Sequence, residues 1–136
     1  MKLALTAALA LVALPAFAGD AAKGEADFKK CKACHSITAP DGTEVQKGGK
    51  TGPNLWGLGG KAVGSTADFK YGDSILAANA AGKVWDEAAL AVYVADPTAW
   101  LKTKLAADDA KSAMSFKLAK GGEDVAAYLA SLKPAQ

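Results

Sequence analysis

The chain carries few of the side chains that bind metals or move protons. Of its 136 residues one is a histidine, His35, two are cysteines, Cys31 and Cys34, and none is an arginine. A closed zinc site takes four ligands drawn from Cys, His or carboxylate, so a Cys/His site cannot be completed within this chain. Two nitrogens on a metal from a histidine pair are excluded for the same reason. No Arg-rich stretch or aromatic platform is present, which removes nucleic-acid binding from consideration. Long apolar runs are also scarce. The one candidate, Leu3 to Leu14, spans twelve residues, where a membrane-crossing helix needs about 20.

That run follows Lys2 and is broken by Pro15, and Ala16-Phe17-Ala18 has the small-x-small pattern of a cleavage site. Residues 1–18 are therefore expected to be a secretory signal peptide cut after Ala18. The remainder, 19–136, is long enough for one domain and not two. No later segment is apolar enough to serve as a membrane anchor, so the product is expected to be soluble and exported. Sixteen basic and fourteen acidic residues give a formal charge of +2, one of which leaves with Lys2. Net charge so near zero says nothing about partners; its distribution does.

Against this sparse background stands Cys31-Lys32-Ala33-Cys34-His35. Two cysteines three apart followed at once by histidine mark covalent haem attachment. Each thiol adds to one vinyl group of the porphyrin, so the two sulfurs must face the same ring edge. The imidazole of His35 is then placed to be the proximal iron ligand. A redox dithiol would need a βαβ context, which nothing here suggests. The expected cofactor is one haem c.

The mature chain reads as mostly α. Asp20 to Lys30 predicts a helix, with Asp20 as N-cap and Lys29, Lys30 and Lys32 near its C-terminal end, where cations suit the macrodipole. Gly24 within it costs about 1 kcal/mol relative to alanine, so another backbone or ring is expected to approach there, with Phe28 on the same face. Ser36 to Lys61 reads as loop, with turn signals at Pro40-Asp41-Gly42, Gly48-Gly49, Gly52-Pro53 and Gly59-Gly60. Such a long loop suits wrapping around a prosthetic group. Further helices are expected over Gly72 to Ala81, from Asp86-Glu87, and from Asp96-Pro97 to Leu105, with Asp96 capping and Pro97 at the first helical position. Ala106 to Lys120 returns to loop. A last helix opens at Gly122-Glu123-Asp124, carries the stripe Val125, Tyr128, Leu129 and Leu132, and is stopped by Pro134. No alternation argues for strands.

Once Met1 leaves, one methionine remains, Met114, in a loop between Lys111-Ser112-Ala113 and Ser115-Phe116-Lys117. A core methionine normally belongs to a periodic apolar stripe, and this one does not. Its thioether is the expected sixth ligand. Lysine could ligate only when deprotonated, so the neutral sulfur fits better at neutral pH. Histidine–methionine ligation raises the reduction potential and leaves no position for oxygen or peroxide. The chain is thus expected to carry electrons and not to be an enzyme. A haem peroxidase or gas sensor would want an open sixth position and usually a second histidine, which is missing.

The whole mature chain resembles the class I c-type cytochromes, and among them the bacterial cytochrome c2 group. Gly24 with Phe28, the CKACH pentapeptide, Thr51-Gly52-Pro53-Asn54-Leu55, Phe69-Lys70-Tyr71, Trp85, Tyr93, Met114 and Glu123 to Leu129 carry the resemblance. It implies an all-α fold of several helices and long loops wrapped around one covalently bound haem. It implies further that the Pro53 carbonyl accepts from Nδ1 of His35, that Tyr71 and Trp85 donate to a buried propionate, and that the Tyr93 hydroxyl approaches the Met114 sulfur. Gly24 and Phe28 would meet Tyr128 and Leu129 where the terminal helices cross. Lys61, where many relatives have arginine, and Ile75, where some have asparagine, depart from the pattern around the propionates.

Lys29, Lys30, Lys32, Lys47, Lys50 and Lys61 lie near the attachment motif in sequence, and Lys111, Lys117 and Lys120 flank Met114. With the resemblance they imply a positive ring, chiefly Lys30, Lys32, Lys50, Lys117 and Lys120. It would steer the protein to acidic partners in fast, salt-sensitive encounters. The implied role is a monomeric periplasmic shuttle for photosynthesis or respiration. It would take electrons from a quinol–cytochrome c reductase and deliver them to a photosynthetic reaction centre or a terminal oxidase. A carrier dedicated to one periplasmic dehydrogenase is the alternative within the same class.

Overall fold

The computed structural model describes residues 19–132. The expected signal peptide and the expected helix stop at Pro134 lie outside them. Five α-helices dominate: α1 (Ala21–Asp27), α2 (Asp73–Ala80), α3 (Glu87–Ala95), α4 (Pro97–Leu105) and α5 (Gly122–Ser131).

Three of the five starts, those of α1, α3 and α4, are legible in local chemistry. The carboxylate of Asp20 accepts from the backbone N–H of Ala22 and Lys23 at 3.0 and 3.2 Å, satisfying donors that a helix leaves orphaned. Asp86 does the same for Ala89 at 2.7 Å and Asp96 for Ala99 at 3.0 Å, with Pro97 at the first position of α4. The first helix is shorter than the sequence predicts. Its α-helical part stops at Asp27, and Phe28–Lys30 form a 3-10 turn, which tightens the backbone just before Cys31.

The terminal helices cross at Gly24. A Cβ built there would run into the backbone oxygen of Asp124 and sit 2.8 Å from Cβ of Tyr128. The missing side chain lets the two backbones touch. Phe28 packs edge-on against Tyr128, ring centroids 5.9 Å apart, and the Asp124 carboxylate accepts from the Asp20 N–H at 2.7 Å. Val125, Tyr128 and Leu129 of the expected stripe are buried, while Leu132 is half-buried.

The long first loop contains a feature that the sequence does not announce. Ile37–Thr38 and Glu44–Gln46 pair antiparallel as strands β1 and β2, with an irregularity in their register. Asp41-Gly42 makes the turn, Gly42 at φ +89°. Strands of two and three residues are too short to show alternation, so this correction to the all-loop expectation has a plain cause. The ribbon buries Ile37 completely, and the amide of Gln46 donates to the Tyr128 hydroxyl at 3.0 Å inside the protein. The ribbon is thereby tied to α5.

A second cluster joins α3 and α4 to the segment before them. Trp85 stacks on Trp100 (centroids 5.0 Å, planes 28° apart), and Tyr93 meets both rings edge-on at 4.8 and 5.5 Å. Trp100 was not singled out from sequence. Its Nε1 is the one fully buried side-chain nitrogen or oxygen without a partner among the described residues. No helix among those residues is long and apolar enough to cross a membrane.

Candidate haem-attachment site

The cysteines and His35 sit on one tight turn that continues the 3-10 segment. Cys31 N–H donates to Phe28 O at 2.8 Å, Cys34 N–H to Cys31 O at 3.2 Å, and His35 N–H to the same oxygen at 2.9 Å. In such helical backbone, residues three apart share a face. Both cysteines are free thiols, Cys31 half-buried and Cys34 exposed. Burial holds the Cys31 thiol above its usual range.

His35 is buried, 9% exposed, and its Nδ1 lies 2.8 Å from the Pro53 carbonyl oxygen. A carbonyl only accepts, so the proton is on Nδ1 and Nε2 keeps its lone pair. Burial lowers the imidazole pKa, outweighing the opposing effect of the Pro53 bond. The ring is therefore neutral at neutral pH, the form a metal requires. Anchoring the far nitrogen fixes both tautomer and orientation.

The loop that supplies Pro53 approaches the motif very closely. A Cβ on Gly52 would strike the His35 ring, 2.6 Å from Nδ1, and one on Gly49 would strike the carbonyl of Ala33. Gly49 N–H donates to Lys32 O and Gly52 N–H to Cys34 O, both at 2.8 Å. As turn signals Gly49 and Gly52 carry no such meaning; here Gly49 clears a backbone carbonyl of the motif and Gly52 clears the imidazole. Only an expected fold gives such a signal meaning.

Met114 is half-buried in the loop between α4 and α5. Three side chains pin its neighbourhood. Ser112 N–H donates to Oγ1 of Thr98 at 3.2 Å, Met114 N–H donates to Oγ of Ser112 at 3.0 Å, and the same Oγ lies 3.2 Å from the Tyr93 hydroxyl. Tyr93 thus reaches the methionine segment through Ser112. Burial raises the pKa of its phenol, which keeps it protonated and able to donate. Lys111 N–H donates to Ser74 Oγ at 3.0 Å and Leu118 N–H to Val94 O at 2.7 Å.

Of the two expected propionate donors, Trp85 is buried and Tyr71 half-buried. The Tyr71 hydroxyl accepts from the Thr66 N–H at 3.2 Å, which leaves its own proton to donate. Lys61 is exposed, with Nζ 3.4 Å from Trp56 O, and Ile75 is buried. The lysines divide into two kinds. Lys30 pairs with Asp27 at 3.1 Å and Lys117 with Asp96 at 2.8 Å, whereas Lys32, Lys50 and Lys120 are exposed and make no ion pair among the described residues.

These residues fit a covalently held haem. They offer two cysteines on one turn and a neutral, oriented imidazole. No group of three His, Cys, Asp or Glu side chains among the described residues could hold a metal ion directly. Two clefts of about 670 and 600 Å³ run along α2 with residues 105–113 and along α3 with α4. Neither is lined by the cysteines or His35.

No family model matches the chain. Over 135 residues it is 62% identical to cytochrome c2 of Rhodobacter capsulatus, covering 97% of this chain and 98% of that protein. It is 53% identical over 140 residues to cytochrome c-550 of Paracoccus versutus, covering 98% and 91%. The solved structure of cytochrome c2 from Rhodobacter capsulatus matches with a TM-score of 0.82 at 64% identity, covering 83% of this chain and 97% of that one.

Proposed function

The chain belongs to the class I c-type cytochromes, in the cytochrome c2 group, and from that premise we propose a periplasmic one-electron shuttle whose haem iron is held by His35 and Met114. The protein is an electron carrier with one covalently bound haem c, and it is not an enzyme.

Bound through Cys31 and Cys34, haem c supplies a reversible ferric/ferrous couple. The protein's own part is to hold the couple still. The single observation that carries His35 as axial ligand is its 2.8 Å bond from Nδ1 to Pro53, which presents Nε2 unprotonated and in a fixed direction. Met114 is supported by being the one thioether of the mature chain, placed in a segment tethered to Tyr93, Thr98 and Ser112. Tyr71 and Trp85 are the candidate propionate donors. Export of residues 19–136 after cleavage of 1–18 places the carrier where a quinol–cytochrome c reductase can reduce it. A reaction centre or terminal oxidase would then accept the electron.

The test is carbon monoxide added to the reduced protein. The visible spectrum is expected not to change, because both axial positions are filled. Ready conversion to a carbonyl form would overturn Met114 as sixth ligand and favour a sensor or enzyme.

Docking is expected to rely on lysines free to meet a partner's carboxylates. Lys32→Gln should slow reduction by an acidic redox partner several-fold at low ionic strength and leave it unaltered at high salt, where exposed charges are screened. Stopped-flow rates across a salt series decide this; equal rates for both proteins at low salt would remove Lys32 from the docking surface.

A further inference from the structure

Asp96 has three attachments at one corner of the fold. Its backbone N–H donates to Val92 O at the end of α3. One carboxylate oxygen caps α4 through Ala99 N–H at 3.0 Å, and the other accepts from Nζ of Lys117 at 2.8 Å. Lys117 lies three residues beyond Met114. The next residue, Leu118, is bonded back to Val94 O, and Ser112 on the other side of Met114 is bonded to Thr98. The methionine segment is thus fastened to the α3–α4 corner on both flanks, and among the described residues the Lys117–Asp96 pair is its only charged fastening.

We propose that Asp96 is a positioning residue: paired with Lys117, it latches the Met114 segment to the α3–α4 corner and withholds Lys117 from acidic partners. The latch rests on Met114 being the sixth ligand only for its consequence at the iron; the fastening itself is a property of the chain. Both side chains are partly exposed, 37% for Asp96 and 60% for Lys117, so the pair is weak and salt-sensitive. Weakness suits a latch, because a carboxylate on a docking partner can compete with Asp96 for the same ammonium. Lys117 is therefore a different kind of lysine from Lys32, Lys50 and Lys120.

Amide hydrogen exchange in the intact holoprotein tests the latch without reference to what ligates the iron. Asp96→Asn retains a good helix cap while losing the charge. It and Lys117→Gln are each expected to speed exchange at Ser112, Met114 and Leu118 by about two- to five-fold, the range of an exposed ion pair. The double variant should be no faster than either single one, and Lys117→Arg should restore the slow rates. Exchange at Val125 and Leu129 in α5 should not change. High salt should bring the parent protein to the rates of the variants. A second arm uses poly-L-glutamate as the acidic probe: Asp96→Asn should bind it more tightly than Asp109→Asn, which makes the same change of charge at an exposed site. Unaltered loop exchange, additive effects in the double variant, acceleration that includes α5, or equal binding by the two Asn variants would overturn the proposal.

Discussion

Met114→Ala is expected to give a folded protein whose reduced form takes up carbon monoxide readily and whose reduction potential falls by tenths of a volt. Axial ligands set haem potentials over a range of about 0.8 V, and a soft thioether favours ferrous iron, so its loss moves the couple downward. Folding should survive because Met114 is half-buried and outside the main core. Ser112 keeps its bond to Thr98 whatever the residue at 114, since that bond uses backbone N–H and the Thr98 hydroxyl. Potentiometry with parallel carbon monoxide titration checks both halves. An unchanged potential would remove Met114 from the iron.

The second large effect concerns the fold. Gly24→Ala is expected to lower stability by about 3 kcal/mol, at the upper end of what overpacking usually costs, and to lower Tm by about 10–20 °C. In an isolated helix the same change would stabilise by about 1 kcal/mol, so propensity and packing predict opposite signs. Packing wins because the new methyl meets backbone, the Asp124 carbonyl, which cannot rotate away, as well as Cβ of Tyr128. Gly82→Ala is the control. At φ +71° and with nothing within 4 Å of an added Cβ, it should lose only the roughly 1 kcal/mol of a left-handed alanine. Thermal melts of the two variants separate the effects; equal losses would show that the crossing of α1 and α5 tolerates a side chain.

Much of this fold was legible because its signals are short-range. Asp20, Asp86 and Asp96-Pro97 start helices through bonds to residues two or three positions on, and any reader of the sequence sees both partners at once. The β1–β2 ribbon was not legible, since its strands are shorter than the alternation that would reveal them. Trp100 passed as one more aromatic in α4, although in the structure it stacks on Trp85 and buries an unpartnered N–H. Ser112 and Thr98 were likewise invisible. Serine and threonine near a loop have many possible partners, and only folding brings residues 14 positions apart to 3.2 Å.

The sequence by itself determined the chemistry. The cofactor follows from five contiguous residues, and the candidate axial ligands follow from counting, with one histidine in the chain and one methionine beyond the expected signal peptide. Covalent reach and the scarcity of alternatives need no fold. Tertiary structure decided how those groups are held. It put the Pro53 carbonyl on Nδ1 of His35, pressed Gly52 against the ring, brought the hydroxyl of Ser112 between Tyr93 and Met114, and gave Lys117 to Asp96. Each of these joins segments remote along the chain through a single bond or a missing side chain. Contacts of that kind have no period and no composition, and they exist only after the hydrophobic core has brought the backbones together.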